Sequence, residues 1–302
     1  MIPEFPEFKK IELSDKEDIE KFTSAYPPYS DFNFVSMWSW DIRGEMRISQ
    51  LNNNLVVRFT DYLTGEPFYS FLGENDINET IKTLISFAKK EGINPSLKLI
   101  PGIIIDNIDA KIFEIEEDRD NFDYILSIDK LKPHDGSQRK LSNRRKLINK
   151  LKNSGIFTVK VIDIQQPEIS EQILKVSVEW EKQRGISEDN AQHLYRALKK
   201  SLQFSHKHTF SIGAFIENKL VGYSINEIIN TEYALGNFQQ ADLNSSNVVY
   251  ALLMQEAAIL LSEFGCKYIN LEQDLGIEGL KKWKASYDPV FFLKKYTISV
   301  KQ

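Results

Sequence analysis

One order of elements occurs twice along the chain and limits what it can fold into. In the first half, Met46 to Ser49 and Leu55 to Phe59 flank Asn52 to Asn54 as a hairpin, and Phe68 to Leu72 reads as a third strand. A helix follows, with Ile77, Ile81, Leu84, Ile85 and Ala88 on one face. It ends near Gly92 and leads into a strand at Leu97 to Ile100. In the second half, Thr209 to Ile216 and Leu220 to Ile229 flank Glu217 to Lys219, and Tyr233 to Phe238 is the third strand. A long helix runs from about Asn247 to Phe264, Gly265 stops it, and Lys267 to Leu271 is the next strand. A pattern that repeats without repeating its residues predicts two like domains in tandem, each an α/β unit with a mixed sheet. The expected division is 1–135, a basic linker helix at 136–155, and 156–302.

Between the halves, Arg139, Lys140, Arg144, Arg145, Lys146, Lys150 and Lys152 surround an apolar face of Leu141, Leu147, Ile148 and Leu151. The formal net charge of the whole chain is −5, so binding to nucleic acid or an anionic surface must come from a local patch, and this is the one available. Arg139, Arg144 and Arg145 are the phosphate-binding candidates, because the guanidinium fork matches a phosphate of tRNA, a lipid headgroup or a coenzyme. The competing reading is a solvated charged face. Two helices follow, from Pro167 to about Arg184 and, capped by Ser187, to about Phe204. Trp180 and Arg184 lie a turn apart on the first and can form one surface with Glu181 beside it; the plainer reading is a core Trp180 with Arg184 as a solvated neighbour.

Several features narrow the class. The single cysteine, Cys266, makes no internal disulfide and reads as a buried thiol in a reducing compartment. The acidic, proline-containing start, Met1 to Glu7, lacks the pattern of a secretion signal, and no run reaches the ~20 apolar residues of a membrane helix. A cytoplasmic protein is expected. His206 and His208 without a third ligand make no metal site. Near the start, Ser14 to Glu17 reads as a capping box, and the aromatic group Tyr29, Phe32, Phe34, Trp38 and Trp40 as core.

The densest chemistry lies between Tyr268 and Pro289. A short strand ends near Leu271, Gly276 and Gly279 allow a turn, and a helix starts from about Leu280. Glu272, Gln273 and Asp274 therefore fall just past the carboxyl end of a strand, where open α/β sheets bind ligands. Glu272 and Asp274 are candidate catalytic carboxylates that face the same way if strand geometry persists, and Tyr287 is a candidate donor to a leaving oxygen. Lys281 and Lys284 are substrate-binding candidates. Asn237 and Gln239 end the preceding strand and, with Asn270, would border the same cleft. Capping of the following helix is the plainer role for the acids.

These residues carry a resemblance. Asn270-Leu-Glu-Gln-Asp-Leu-Gly276, Gly279-Leu-Lys281 and Lys284-Ala-Ser-Tyr-Asp-Pro289 resemble the C-terminal signature of the phosphatidylglycerol lysyltransferase C-terminal-like family. Pro27 to Trp38, Arg139 to Lys152, Glu179 and Trp180 with Arg184, and Asn237 to Asp242 resemble it too, so the likeness spans nearly the whole chain. It implies two tandem acyltransferase folds of the Gcn5-related N-acetyltransferase (GNAT) type, with the Tyr268 to Pro289 stretch lining an acyl-acceptor cleft. Gln239-Gln240 departs from the Glu-Lys of the family pattern, which removes charge there. Coenzyme A users of this superfamily hold pyrophosphate with a glycine-rich loop, yet Gln239 to Val249 contains no glycine. The expected function is thus transfer of an aminoacyl group from aminoacyl-tRNA to a lipid or small-molecule acceptor. An acyl-coenzyme A dependent N-acyltransferase and a binding module without turnover are the alternatives.

Overall fold

The computed structural model describes residues 1–61, 64–133, 139–204, 208–244 and 248–301. The chain forms two compact units. Unit 1 comprises Met1–Tyr124, Glu272–Lys282 and Phe292–Gln302, and unit 2 comprises Ile125–Leu271 and Trp283–Phe291. The units depart from the contiguous division expected from sequence, because the last strand of the chain belongs with the first half. Lys295–Val300 lies between Ser96–Pro101 and Phe113–Glu117, antiparallel to both, and satisfies the backbone groups of two strands that would otherwise be edges. The basic helix Arg139–Asn153 is part of unit 2.

In unit 1 a seven-stranded sheet, counted over the described residues, runs in the order Lys9–Lys10, Arg47–Leu51, Asn54–Thr60, Pro67–Leu72, Ser96–Pro101, Lys295–Val300, Phe113–Glu117. Asn52 and Asn53 join the first hairpin with φ of 54° and 58°. Two consecutive left-handed residues match the twist of a two-residue hairpin, and asparagine tolerates them well. The helix Ile77–Lys90 buries Ile77, Ile81, Leu84, Ile85 and Ala88 against this sheet. Each isoleucine or leucine among them contributes ~1.5–3 kcal/mol of burial. Of the expected aromatic core, Tyr29, Phe32, Phe34 and Trp38 are buried.

One local expectation shifts. The capping box sits two residues earlier than Ser14 to Glu17: Glu12 and Asp15 make it, with Asp15 accepting the Glu12 backbone N–H at 3.0 Å and the Lys9 ammonium at 2.8 Å. A short 3-10 turn, Leu13–Asp15, precedes the helix Lys16–Thr23 and moves the cap. Asp76 precedes its helix in a left-handed conformation, φ 43°, and its side chain makes no capping hydrogen bond.

Unit 2 holds the antiparallel run Phe157–Ile162, Thr209–Ile216, Lys219–Ile228, Tyr233–Ala241, after which Tyr268–Asn270 pairs parallel to Tyr233–Ala241. Glu217 and Asn218 repeat the left-handed hairpin turn, with φ of 47° and 70°. The helix Pro167–Arg184 begins with proline in its first turn, where no N–H is needed, and ends on Gly185 with φ 63°. The apolar helix Val249–Glu263 covers the sheet through Val249, Leu253 and Ala257. Pairing between Lys219–Ile228 and Tyr233–Ala241 slips once: Ile225 faces Phe238, Asn226 faces Gly236, and Asn237 is the extra residue of a β-bulge.

Candidate functional site

The strand Tyr268–Asn270 stops before the acids, and its geometry does not persist. Glu272 is left-handed, φ 59°, as is Leu275, φ 53°. The expectation that alternation aims Glu272 and Asp274 the same way therefore fails. Backbone bonds hold this strained turn inside unit 1: Tyr124 N–H donates to the Glu272 carbonyl at 3.2 Å, and Leu275 N–H to that of Asp120 at 2.8 Å. Asp274 is fully buried. One carboxylate oxygen accepts the Gly276 N–H at 2.9 Å, and the other accepts the Tyr124 hydroxyl at 2.6 Å and Arg119 at 3.4 Å. Burial, followed by the bond to Asp274, raises the Tyr124 pKa. Asp274 is thus committed to fixing the turn, while Glu272 is half-buried and accepts the Ser36 hydroxyl at 3.2 Å. Gly276 serves the turn with φ 70°, but Gly279 lies inside the helix Glu278–Ala285, which starts earlier than expected.

Gln273 joins a second network in unit 1. Lys295 is wholly buried, paired with Asp31 and donating to Asp123 at 2.8 Å. Ser30 lies 2.6 Å from Asp123 and 2.8 Å from Gln273, whose amide donates to Asp31 at 3.3 Å. Burial opposes the Lys295 charge, but Asp123 and Asp31 outweigh it and hold its pKa above the ordinary lysine value.

Unit 2 presents the opposite condition. Asn237, 7 % exposed, has neither amide atom hydrogen-bonded, and buried Trp180 Nε1 and Tyr250 Oη are likewise without a hydrogen-bond partner. Burial chiefly raises the Tyr250 pKa, and Arg184 and Trp180 face its hydroxyl outside hydrogen-bond geometry. The Arg184 guanidinium lies 6.0 Å from the Trp180 ring centre, so the two side chains are neighbours, and both lie near Tyr250. Gln239 donates to the Tyr250 carbonyl at 2.8 Å, fixing the strand to the start of the helix. Beneath lies Glu181, buried, accepting the Ser177 hydroxyl at 3.1 Å, with its pKa raised by burial. Buried Tyr223, whose pKa burial also raises, donates to Gln240 at 2.5 Å.

The remaining candidates are spread over the units. Asn270 is buried in its strand, between Leu235 and Ile125. Lys284 is buried and donates to the Leu271 carbonyl at 2.5 Å, a structural use of its charge. Lys281 is half-buried in unit 1. Tyr287 belongs to unit 2, its pKa pushed up to about 12 by burial. Arg144 lies over the Tyr287 ring at 3.9 Å and donates to the Ser286 hydroxyl at 2.8 Å. Arg145 and Arg144 line a small cleft with Lys130, Gln255 and Tyr287. The Arg139 side chain and His206 lie outside the described residues. Burial also raises the Cys266 pKa, which keeps the thiol protonated and inert.

Sequence reading set Glu181 beside the Trp180 and Arg184 surface but missed its burial, and it missed Tyr250, Arg119, Tyr124 and Lys295. For Glu181 a signal was present, since Ile173, Ser177 and Glu181 recur at helical spacing and put an acid on the buried stripe. For the others none was, because their partners are more than a hundred residues away or on another element.

Among the described residues no group of histidines, cysteines and acids is arranged to hold a metal, and no helix is long and apolar enough to cross a membrane. The sequence profile of the family described as "Phosphatidylglycerol lysyltransferase, C-terminal" matches residues 24–299. A search of curated proteins found no match. A conserved protein of unknown function from Bacteroides thetaiotaomicron is 27% identical, with a TM-score of 0.82 and 100% of both chains covered. L-PGS from Bacillus licheniformis is 14% identical with a TM-score of 0.64, covering 99% of this chain and 93% of that one. A tandem GNAT protein from the clavulanic acid biosynthesis pathway is 10% identical with a TM-score of 0.50, covering 97% and 98%. The fold is that of the tandem GNAT proteins, as the sequence resemblance implied.

Proposed function

Because the chain belongs to the phosphatidylglycerol lysyltransferase C-terminal family, a family of GNAT-type acyl or aminoacyl transferases, we propose that it moves an aminoacyl group from aminoacyl-tRNA to a lipid or small-molecule acceptor, with unit 2 holding the acyl group. The observation that carries this is the set of buried, unmet donors: Trp180 Nε1, Tyr250 Oη and the Asn237 amide. Native proteins leave few such groups without a partner, and each costs ~1–3 kcal/mol unless a ligand completes it. Buried donors without a partner suit a carbonyl oxygen that becomes an oxyanion during acyl transfer.

In this reading the acceptor's amine or hydroxyl attacks the ester carbonyl of the donor, and a new amide or ester bond forms as the ester to the tRNA 3′ ribose breaks. Glu181 takes the proton from the nucleophile, and the ribose oxygen leaves with a proton. A carboxylate whose pKa burial has raised is a stronger base than an ordinary glutamate and suits that exchange. Arg184 and the basic helix Arg139–Asn153 hold phosphates of the donor. Asp274 is assigned a positioning role, since both its oxygens are engaged. The absence of glycine from Gln239 to Val249 supports tRNA over coenzyme A as donor.

The test supplies a radiolabelled pool of charged tRNAs with a total lipid and small-molecule extract, wild type beside Asn237→Ala and Glu181→Gln. Label should move with the wild type and fall ~10²-fold or more in each variant. Transfer only from acyl-coenzyme A would replace the donor. Tight binding of an amino acid or headgroup without turnover, unaffected by Glu181→Gln, would make the protein a binding module.

A further inference from the structure

We propose that the open edge of the unit 2 sheet, Phe157–Ile162, pairs with the open edge of the unit 1 sheet, Phe113–Glu117, of a second copy of this chain. Nothing in it depends on the transfer reading. Among the described residues each of these strands ends its sheet and is paired on one side, Phe157–Ile162 with Thr209–Ile216 and Phe113–Glu117 with Lys295–Val300. In an antiparallel ladder alternate residues bond inward, and those between them direct N–H and C=O outward. Asp118 N–H donates to the Lys295 carbonyl at 2.9 Å and Lys301 N–H to the Ile112 carbonyl at 3.0 Å, so the even-numbered residues there bond inward. The backbone of Phe113, Ile115 and Glu117 faces out, with the Phe113 N–H donating to the Asp109 carbonyl at 3.0 Å. On the other edge, Ile228 N–H donates to the His208 carbonyl at 2.8 Å, so the even-numbered residues of Thr209–Ile216 serve Lys219–Ile228. Its odd-numbered residues bond Thr158, Lys160 and Ile162, and the backbone of Phe157, Val159 and Val161 is left pointing out.

Two edges join where outward backbone meets outward backbone. One antiparallel register uses all the outward positions of both strands: Phe157 against Glu117, Val159 against Ile115, Val161 against Phe113. The same register sorts the side chains. Val159 with Ile115 and Val161 with Phe113 share one face, while on the other Lys160 falls opposite Glu114 and Thr158 opposite Glu116. Thr158, Lys160, Glu114 and Glu116 are exposed, Val161 is 58 % exposed, and neither glutamate has an ion-pair partner among the described residues. Like edges fit worse. Phe113–Glu117 against itself, centred on Ile115, sets Glu114 against Glu116, and like charges directly opposite destabilise a sheet. Phe157–Ile162 against itself sets Lys160 against Thr158 and gains no ion pair. Charge on an edge keeps identical edges apart, and opposite charge on these two favours the unlike pair. Each copy carries one edge of each kind, so the contacts close in a ring or continue as a chain.

Sedimentation equilibrium on the full chain, up to ~1 mM because so small a contact is weak, should show reversible self-association that salt reduces. Lys160→Glu and Glu114→Lys should each weaken it ~3–10-fold, and the double reversal should restore it, since the exchanged charges make the same pair. Val161→Pro removes an outward N–H that the ladder does not use, and should weaken association while leaving the fold intact. Carbodiimide coupling of mixed isotope-labelled and unlabelled wild-type chains should join Lys160 of one to Glu114 of the other. A monomer throughout the range, or no such mixed link, would overturn the pairing. So would association that responds to Lys160→Glu but not to Glu114→Lys, which would make the contact one between like edges. The wild-type link decides even if a variant fails to fold.

Discussion

The two units treat buried polarity in opposite ways. In unit 1 the buried charges close on one another: Lys295 with Asp31 and Asp123, Asp274 with Tyr124, Arg119 and a backbone N–H. Among the described residues, Ser70 Oγ is the exception left without a partner there, since Asp31 is paired with Lys295. In unit 2, Arg145, Trp180, Asn237, Tyr250 and Gln255 keep buried atoms unmet. A closed network spends its polar groups on holding one conformation, whereas an open one holds them ready for a molecule from outside. That difference is why we propose unit 2 for the ligand-facing chemistry, away from the acids that the sequence made conspicuous.

The contrast can be broken most directly at Lys295. Lys295→Met strands two buried carboxylates, so urea denaturation near neutrality should show a loss of ~3–5 kcal/mol, shrinking as falling pH protonates them. A loss under 1 kcal/mol at neutral pH would mean the network is not closed as described. Asn237→Ala should reverse the pattern, with stability unchanged or slightly raised and transfer reduced ~10²–10³-fold, about 2.7–4 kcal/mol of barrier. Equal loss of both would make the bulge amide structural. For Asp274→Asn, denaturation should report ~1–3 kcal/mol lost as the bonds to Tyr124 and Gly276 weaken. Transfer per folded molecule should survive, and its selective loss would return Asp274 to a catalytic role.

The smallest effect concerns Glu181. Its folded pKa is raised by burial, so the native state keeps a proton the unfolded chain loses, and stability declines as pH rises from the usual glutamate range through the folded value. Glu181→Gln should match wild type in acid and exceed it modestly above that window, while abolishing any rise of transfer rate across it. Parallel stability curves for the two proteins would remove the burial argument.

The repeated hairpin, strand, helix and strand were legible because periods of 2 and 3.6 are local, and because Asn52, Asn53, Glu217 and Asn218 mark two-residue turns. The basic helix and the pairing of Trp180 with Arg184 were legible for the same reason, being neighbours along one helix. Reading Glu272 to Asp274 as a strand extension failed, because tertiary ties to Asp120 and Tyr124 hold that segment in left-handed conformations that no local preference would choose.

Sequence alone therefore determined the order of elements, the tandem α/β plan and the family, all of which rest on short-range spacing and motif. Tertiary structure decided that the final strand completes the sheet of unit 1, that Lys295 neutralises Asp31 and Asp123, and that Asn237 bulges out of register with its amide unmet. Whether a polar group is spent or free depends on which distant residue folding delivers to it, and a buried hydrogen bond leaves no periodic trace in the chain that makes it.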